Sequence, residues 1–283
     1  MTLRLAHLSD IHFGGENRAA ARAAIDAVGD FRPAVAVITG DLTLNGLPTE
    51  FAAARAWLDA IPCPIAVTPG NHDTPYWNLI LRALVPFQRY RRHVGASEQT
   101  AFDAPGLSLR CQNSARGAQP RLDWSKGAIN LARLADAVGE MGAQPDTLRV
   151  FACHHPLIEV TGAPVTGGVH RGPAAAAILC AGGVDLILTG HVHNPFAQAL
   201  PLGDGLTYAV GAGTLSLRTR GSPAGLTLIT AESDHLELEA LGWTGTAFAS
   251  YRRWTLPRRL SRAGFKELTG QLGTPQDAAT SSI

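Results

Sequence analysis

The chain has 283 residues, of which 46% are hydrophobic and 17% charged, and its formal net charge is +1. A chain of this length and composition can bury a full core, so one large domain is expected. The near-neutral charge argues against a general nucleic-acid binder, whose affinity comes largely from neutralising phosphates.

The first part of the chain alternates short apolar runs with helical stretches. Residues 3–8, 35–38 and 64–67 predict three buried strands, and residues 19–28 and 49–58 predict the helices between them. This β-α-β-α-β order indicates a mostly parallel sheet.

A basic and aromatic segment follows at residues 76–94, with a helical pattern that Pro86 interrupts. Its arginines, together with a histidine, alternate with aromatic side chains. They are Arg82, Arg89, Arg91, Arg92 and His93, interleaved with Phe87 and Tyr90. We expect this segment to be an insertion beside a functional site.

The middle of the chain predicts a second set of elements. Residues 101–102 and 107–111 predict two strands, residues 130–141 a helix, and residues 148–152 a further strand. The glycine-rich loop 161–172 that follows is expected to be mobile and able to close over a substrate.

The last third of the chain first predicts a helix that starts at Pro173 and ends at residue 181, then an apolar strand over 184–188. Short strands come next, and we expect them to form an antiparallel meander. They cover 196–200, 206–210, 226–230, 236–241 and 246–254. Residues 257–283 are basic at first and then polar, which is typical of a loose C-terminal tail.

The cysteines and the hydropathy bear on the cellular compartment. Cys63, Cys111, Cys153 and Cys180 are scattered without a C-x-x-C pair, and most lie in apolar surroundings, as buried free thiols do. No run approaches the ~18 apolar residues of a membrane span, and the start lacks a signal-like segment. The sequence therefore predicts a soluble, unprocessed, cytoplasmic protein.

Five of the apolar runs end directly in histidine, aspartate or asparagine. These ends carry Asp10 and His12; Asp41; Asn71, His72 and Asp73; His154 and His155; and His191 and His193. One Asn-His-Asp loop alone is more often a turn closed by side-chain hydrogen bonds. Because ligands in α/β sheets bind beyond the carboxyl ends of strands, the repetition predicts one shared pocket.

As an ordered set, these motifs resemble the five signature blocks of the calcineurin-like metallophosphoesterase family. The blocks are Asp10-x-His12, Gly40-Asp41, Gly70-Asn71-His72-Asp73, His154 and Gly190-His191-x-His193. They span roughly two thirds of the chain and are specific together, although Asp-x-His and Gly-His-x-His alone are weak signals. The His-His-Pro sequence at residues 154–156 is most similar to the cyclic-nucleotide phosphodiesterase branch.

The resemblance implies an α/β fold, namely a four-layer αββα sandwich of two mixed β-sheets flanked by helices, over residues 1–256. It also implies two divalent metal ions. Asp10, His12, Asp41 and His193 would hold one ion, and Asp41, Asn71, His154 and His191 the other. Asp41 belongs to both sets and would bridge the ions, since a carboxylate can span ions ~3.5–4 Å apart. The mixed oxygen and nitrogen ligands suit Mn, Fe, Zn or Ni without selecting among them.

In the mechanism that the resemblance implies, the ions clamp the phosphate and lower the pKa of a bridging water, which attacks phosphorus. His72 would protonate the departing oxygen or donate a hydrogen bond to it. Asp73 would orient the ring of His72. Between His154 and His155, we assign the ligand to His154, the first residue after the strand. His7, within the first strand, is expected to be a hydrogen-bonded core residue.

The leading hypothesis is a phosphodiesterase that acts on a small diester such as a cyclic nucleotide. The segment after Asp41 lacks the Asp-Arg-Gly sequence of the Ser/Thr phosphatases, whose arginine binds the substrate phosphate. A monoester carries two negative charges and a diester one, so the missing arginine would weaken the binding of a monoester more. His170 or Arg171 could replace that cation. A solvated loop histidine is an equally good interpretation of His170.

Two alternatives remain open. The basic and aromatic stretches 82–93 and 251–266 would suit hydrolysis of a lipid-linked or nucleotide-sugar pyrophosphate at a membrane surface, with weak binding to anionic membranes. Solvated arginines are the commoner explanation for such stretches. A metal-free interaction scaffold ranks last, since no ligand position is lost. The sequence leaves the oligomeric state open.

Overall fold

Two β-sheets, packed face to face between helices, make up the computed structural model, which describes residues 2–95, 100–120, 123–142, 146–161 and 168–259. In chain order the strands of the described residues are β1 (Leu3–Leu8), β2 (Val35–Ile38), β3 (Ile65–Val67), β4 (Ala101–Ala104), β5 (Leu107–Cys111), β6 (Leu148–Ala152), β7 (Leu186–Thr189), β8 (Phe196–Ala199), β9 (Tyr208–Gly211), β10 (Gly225–Ala231), β11 (His235–Trp243) and β12 (Phe248–Pro257). The helices are α1 (Arg18–Phe31), α2 (Pro48–Asp59), α3 (Leu79–Leu84), α4 (Gln88–Val94), α5 (Leu131–Glu140) and α6 (Gly172–Ala181).

Both sheets are mixed. The first has the order β12-β11-β10-β1-β2-β3, in which β1, β2 and β3 are parallel and the other three are antiparallel to their neighbours. The second has the order β4-β5-β6-β7-β9-β8, with β5, β6, β7 and β9 parallel. This arrangement confirms the predicted four-layer αββα sandwich.

Three apolar clusters separate the four layers. The central cluster joins side chains of both sheets, such as Leu5 and Val37 from the first and Val150 and Leu186 from the second. The other two lie between a sheet and its helices. Strands covered on both faces read as continuous apolar runs, which is why residues 35–38 are apolar at every position.

Helix α1 shows how local sequence sets these layers. The side chain of Asn17 accepts a hydrogen bond from the backbone N–H of Ala20 at 3.2 Å and so caps the helix. The buried face consists of small residues, including Ala20 and Ala24, which allow close packing against the first sheet. The helix ends where Arg32 adopts a left-handed conformation.

The predicted single meander at the end of the chain is wrong. Strands β8 and β9 form a hairpin at one edge of the second sheet, and β9 pairs in parallel with β7. Only β10, β11 and β12 form an antiparallel meander, and they extend the first sheet. Alternating polarity cannot tell which of two sheets a strand joins, because both offer an apolar face.

Two other expectations, about the segment 76–94 and about the cysteines, are confirmed. The segment 76–94 forms two short helices, α3 and α4, with Pro86 between them. All four cysteines are free, and Cys111 and Cys153 are buried. Among the described residues no helix is long and apolar enough to cross a membrane.

The C-terminal boundary at residue 256 stays a prediction. Strand β12 ends at Pro257. Arg259 then forms an ion pair with Asp185 at 3.0 Å and with Asp204 at 2.6 Å, which ties the end of the described chain to the second sheet. The rest of the predicted tail lies outside the described residues.

Candidate metal centre

The residues at the five predicted strand ends converge where the carboxyl edges of the two sheets meet. Strands β1, β2 and β3 of the first sheet lead to Asp10, Asp41 and Asn71, while β6 and β7 of the second lead to His154 and His191. Four groups of neighbouring side chains with ligand atoms within 4.8 Å of one another occur here. The predicted shared pocket therefore spans two sheets.

The backbone at this junction is strained. Five of the seven predicted ligands have positive φ angles between 51° and 67°; they are Asp10, His12, Asp41, His191 and His193. Non-glycine residues adopt this region uncommonly, and such strain persists where the surrounding structure enforces it, often at functional sites. The conformation turns each side chain away from its strand and into the junction.

Two glycines permit the close packing of these loops. Gly40 has a φ of +89°, and a Cβ atom there would lie 2.6 Å from the backbone nitrogen of Gly70. A Cβ atom on Gly70 would in turn collide with Asp41. The glycines before Asp41 and Asn71 are thus required because one loop approaches the next so closely.

One group of ligand atoms surrounds Asp10. Its Oδ1 lies 3.1 Å from Nε2 of His193 and 3.7 Å from Nε2 of His12. The two histidine nitrogens are 3.3 Å apart. All three side chains are almost fully buried, so their charges and lone pairs are shielded from bulk water.

A second group surrounds His154. Its Nε2 lies 3.3 Å from Oδ2 of Asp41, which is itself 3.8 Å from Nε2 of His12. The rings of His154 and His191 are 5.2 Å apart between centroids. Asp41 therefore lies between the two groups, as the predicted bridging position requires.

Several buried polar atoms at this junction make no hydrogen bond of good geometry among the described residues, although two of them lie within ion-pair distance of a neighbouring side chain. They include Oδ1 of Asp10, Oδ1 of Asn71 and Nε2 of His154. Leaving a buried polar atom unpaired costs about 1–3 kcal/mol, so three such atoms in one place need an explanation. All three are ligand atoms for a divalent cation, and the donor set contains no thiolate. The residues present fit metal ions.

The electrostatics favour ionised carboxylates. Burial alone would raise the pKa of Asp10 and Asp41, but the surrounding histidines hold both well below the usual range. Burial alone would lower the pKa of His154, yet Asp41 and its other partners raise it to about 9. An excess of negative potential in a buried site is what binds a cation.

His72 reaches the same junction from the loop after β3. Its backbone N–H donates to Oδ1 of Asp41 at 2.8 Å, and its ring lies 4.8 Å from that of His12. Nδ1 lies 2.7 Å from the carbonyl oxygen of Leu44. His72 is therefore held beside the ligand groups through its backbone and one ring nitrogen.

The predicted contact between Asp73 and the ring of His72 is wrong. The carboxylate of Asp73 is buried and accepts hydrogen bonds from the backbone N–H groups of Leu42, Thr43 and Gly70 at 2.9–3.2 Å. It also accepts from the hydroxyl of Thr43. Since its oxygens bind the loop after Asp41, Asp73 holds that loop against the loop after β3, and the carbonyl of Leu44 orients His72.

His155 makes different contacts from His154. Its Nδ1 lies 2.8 Å from the hydroxyl oxygen of Ser114 and its Nε2 2.7 Å from the carbonyl oxygen of Ser125. Nε2 of His154 has no such partner. This difference supports the choice of His154 as the ligand. His7 is buried and lies 3.0 Å from the hydroxyl of Thr39, which confirms its expected place in the core.

A cavity of about 420 Å³ opens onto the junction. Besides the predicted residues it is lined by four that the sequence analysis missed, namely Asp123, Ser125, Arg218 and Arg220. Arg220 donates to the carbonyl oxygen of His191 at 2.9 Å. None of the four follows a strand end, so the pattern that identified the ligands could not find them.

The loop expected to cover the pocket is only partly described. Residues 162–167 lie outside the described chain. His170 is exposed, and its backbone pairs with Gly127 and Ile129, while Arg171 is the N-cap residue of α6. Neither is among the residues that line the cavity at the junction.

Several arginines of the two basic stretches contact other parts of the protein. Arg82 is buried and donates to the carbonyl oxygen of Gly117 at 3.0 Å, and Arg89 donates to that of Gly46. Arg253 pairs with Glu239 on the neighbouring strand. These arginines serve the fold, which leaves less free positive charge for a membrane than the sequence alone indicates.

The sequence is similar to those of known phosphoesterases. Residues 3–195 match the model of a family described as calcineurin-like phosphoesterase. A probable cyclic nucleotide phosphodiesterase of Synechococcus sp. is 27% identical over 261 residues, which cover 87% of this chain and 94% of that protein. A glycerophosphodiester phosphodiesterase of Enterobacter lignolyticus is 37% identical over 82 residues, 24% of this chain and 29% of that one.

Among solved structures, a purple acid phosphatase from yellow lupin superposes with a TM-score of 0.65 at 15% identity. The alignment covers 91% of this chain but only 54% of that phosphatase, so the chain spans about half of its length. Because only 15% of the aligned residues are identical, this similarity shows a shared fold and nothing more.

Proposed function

Because the chain belongs to the calcineurin-like phosphoesterase family and is a phosphoric ester hydrolase, we propose that it uses two divalent metal ions to hydrolyse phosphodiesters. The observation that carries the proposal is the position of Asp41 between two groups of buried ligand atoms, several of which make no hydrogen bond. The overlapping side-chain groups support two ions rather than one.

Two sets of residues would hold the ions. Following the family resemblance, Asp10, His12, Asp41 and His193 would form the first, and Asp41, Asn71, His154 and His191 the second. In support, the ligand atoms of Asp10, His12 and His193 lie within 4.8 Å of one another, as do those of Asp10, Asp41 and His154. When bound, the ions would neutralise phosphate charge and lower the pKa of a water molecule to supply the nucleophile. The identity of the ions, among Mn, Fe, Zn and Ni, stays open.

The residues of the chain contribute the rest of the chemistry. His72 donates from Nδ1 to the carbonyl oxygen of Leu44 and lines the cavity. When the ring is doubly protonated, Nε2 would donate its proton to the departing oxygen and leave the neutral ring. A positioned histidine that donates a proton is typically worth ~10²–10⁴-fold in rate. Arg218 and Arg220 line the same cavity and would attract the substrate phosphate.

Diester substrates are supported by the relatives, whose names describe phosphodiesterases that act on cyclic nucleotides or glycerophosphodiesters. The test is hydrolysis of bis-p-nitrophenyl phosphate and cyclic AMP by purified protein, first stripped with a chelator and then reloaded with each of the four metals. We expect activity to disappear on chelation and to return with at least one metal. Full activity after exhaustive chelation would refute the proposal, and failure on cyclic AMP alone would discard only the cyclic nucleotide.

A further inference from the structure

An apolar surface lies directly beside the candidate metal centre. Of eight exposed large hydrophobic side chains in the described chain, five fall in one nine-residue segment: Tyr76, Trp77, Leu79, Ile80 and Leu84. Trp77 is 75% exposed. Exposed apolar groups gathered in one place commonly mark a binding surface.

Part of this surface belongs to a groove that continues from the catalytic cavity. The groove has a volume of about 650 Å³, and Tyr76, Trp77, Leu79 and Trp124 line it. It shares Asn71, His72, Asp123, Ser125 and Arg218 with the cavity at the metal centre. A ligand whose phosphate lies at the metal centre would therefore extend along these aromatic side chains.

The side chain of Trp124 and the backbone at Tyr76 are anchored to the body of the protein. Arg82 is only 6% exposed, donates to the carbonyl oxygens of Gly117 and Trp124, and lies 5.4 Å from the centroid of the Trp124 ring. The backbone N–H of Tyr76 donates to the carbonyl oxygen of Asn45 at 3.0 Å. Anchored aromatic side chains bind a ligand with a smaller loss of conformational freedom than mobile ones.

We propose that this groove seats a planar aromatic group of the substrate, so that the ester cleaved at the metal centre carries an aromatic ring rather than a small polyol such as glycerol. The inference rests on the proposed function and names the substrate class of the same site. Tryptophan and tyrosine faces favour stacked or edge-on aromatic partners, whereas a polyol needs a dense set of hydrogen-bond donors and acceptors. Beyond the five polar residues that it shares with the cavity at the metal centre, the groove is lined by Arg82 and by four apolar or aromatic side chains, which such a ring would contact.

The test measures binding rather than turnover. Isothermal titration calorimetry with Mn²⁺-loaded protein compares benzylphosphonate with 2,3-dihydroxypropylphosphonate, which share the phosphonate and differ in the group that would enter the groove. We expect benzylphosphonate to bind roughly 5- to 100-fold more tightly, as stacking on one or two aromatic side chains gives.

The variants separate the groove from the rest of the apolar surface. Trp77→Ala should remove most of the benzyl preference while the metal content stays unchanged. Ile80→Ala is the matched control, because Ile80 is 71% exposed on the same segment but does not line the groove. It should keep the preference.

Several outcomes would overturn the inference: no detectable benzylphosphonate binding, equal affinities in the unmodified protein, or a preference that survives Trp77→Ala. Vesicle flotation provides a further check, since binding to phosphatidylserine vesicles that Trp77→Ala abolishes, with no benzyl preference, would assign the side chain to a membrane instead. Because calorimetry needs no hydrolysis, this result is independent of whether bis-p-nitrophenyl phosphate is cleaved. If bis-p-nitrophenyl phosphate is cleaved but the two phosphonates bind with equal affinity, the proposed function stands and the role of the groove is refuted.

Discussion

Nδ1 of His72 lies 2.7 Å from the carbonyl oxygen of Leu44. A carbonyl can only accept, so this contact places a proton on Nδ1 and fixes the direction in which the ring points. The other ring nitrogen is then free for a group in the cavity that His72 lines. This contact takes the place of the expected pairing with Asp73.

His72→Ala should keep its metal content and lose about 10²–10⁴-fold in kcat on esters with a poor leaving group. The loss should be smaller for p-nitrophenyl esters, because p-nitrophenolate departs without needing a proton. Metal analysis and kinetics on both substrate types measure this. His235→Ala, a histidine far along the chain on β11, is the control. Equal losses on both ester types would contradict the acid role.

Asp41→Asn should cost more activity than any change at a residue that contacts one group only, such as His193→Gln. Asp41 approaches both His12 and His154, and an amide removes the charge that would offset two cations. Elemental analysis should find fewer bound ions in Asp41→Asn, with kcat/KM reduced by at least 10³-fold. Asp59→Asn, at an exposed position, serves as the control. A milder loss in Asp41→Asn than in His193→Gln would argue against a bridging role.

Asp73→Ala should destabilise the fold by about 3–5 kcal/mol, because it leaves three backbone N–H groups without their acceptor, while the hydroxyl of Thr43 keeps the carbonyl oxygen of His72 at 3.0 Å. Urea unfolding of the metal-free variant measures the loss. Asp73→Asn keeps one carbonyl oxygen and should lose less. A stable Asp73→Ala protein that had lost only activity would restore a direct catalytic role for this residue.

The predicted preference for diesters over monoesters depends on how far the two arginines of the cavity supply the missing positive charge. The arginine missing after Asp41 has possible replacements in Arg218 and Arg220, which line the cavity. A dianionic monoester gains more from a nearby cation than a diester does. Arg218→Ala should therefore lower kcat/KM for p-nitrophenyl phosphate about tenfold more than for bis-p-nitrophenyl phosphate. The control is Arg253→Ala, in a surface ion pair, which should change neither kcat/KM value. If Arg218→Ala lowers kcat/KM equally for both esters, Arg218 does not bind monoesters selectively.

The stability of the metal-free protein should fall as the pH rises from about 6.5 to 9. Burial lowers the pKa of His154, but Asp41 and other partners raise it overall from 6.5 to about 9. A group whose pKa is higher in the folded state contributes stability that is complete below its unfolded pKa and is lost as the pH rises through the folded one. Urea unfolding across this range should show the decline, and His154→Gln should flatten it. A metal-loaded protein should also lack it, because a metal-bound nitrogen carries no proton.

The candidate metal ligands could be recognised from the amino-acid sequence alone, whereas other residues that line the cavity could not. Each of the five strands ends in a ligand type that its own segment supplies, such as Asp41 after β2 and His154 after β6. Because a buried strand is a continuous apolar run and a strand end is an abrupt polar change, both can be recognised without the fold. The four layers were predicted through the family resemblance that these motifs carry.

How these segments meet could be seen only from the way the chain packs in three dimensions. Strands β8 and β9 joined one sheet and β10 to β12 the other, since an apolar face fits either. The partners of Asp73 became visible only when the loop after β2 lay beside the loop after β3. Arg218, Trp77 and Trp124 reach the site from segments that carry no strand-end motif. Long-range packing brings such residues together, and local sequence patterns do not encode it.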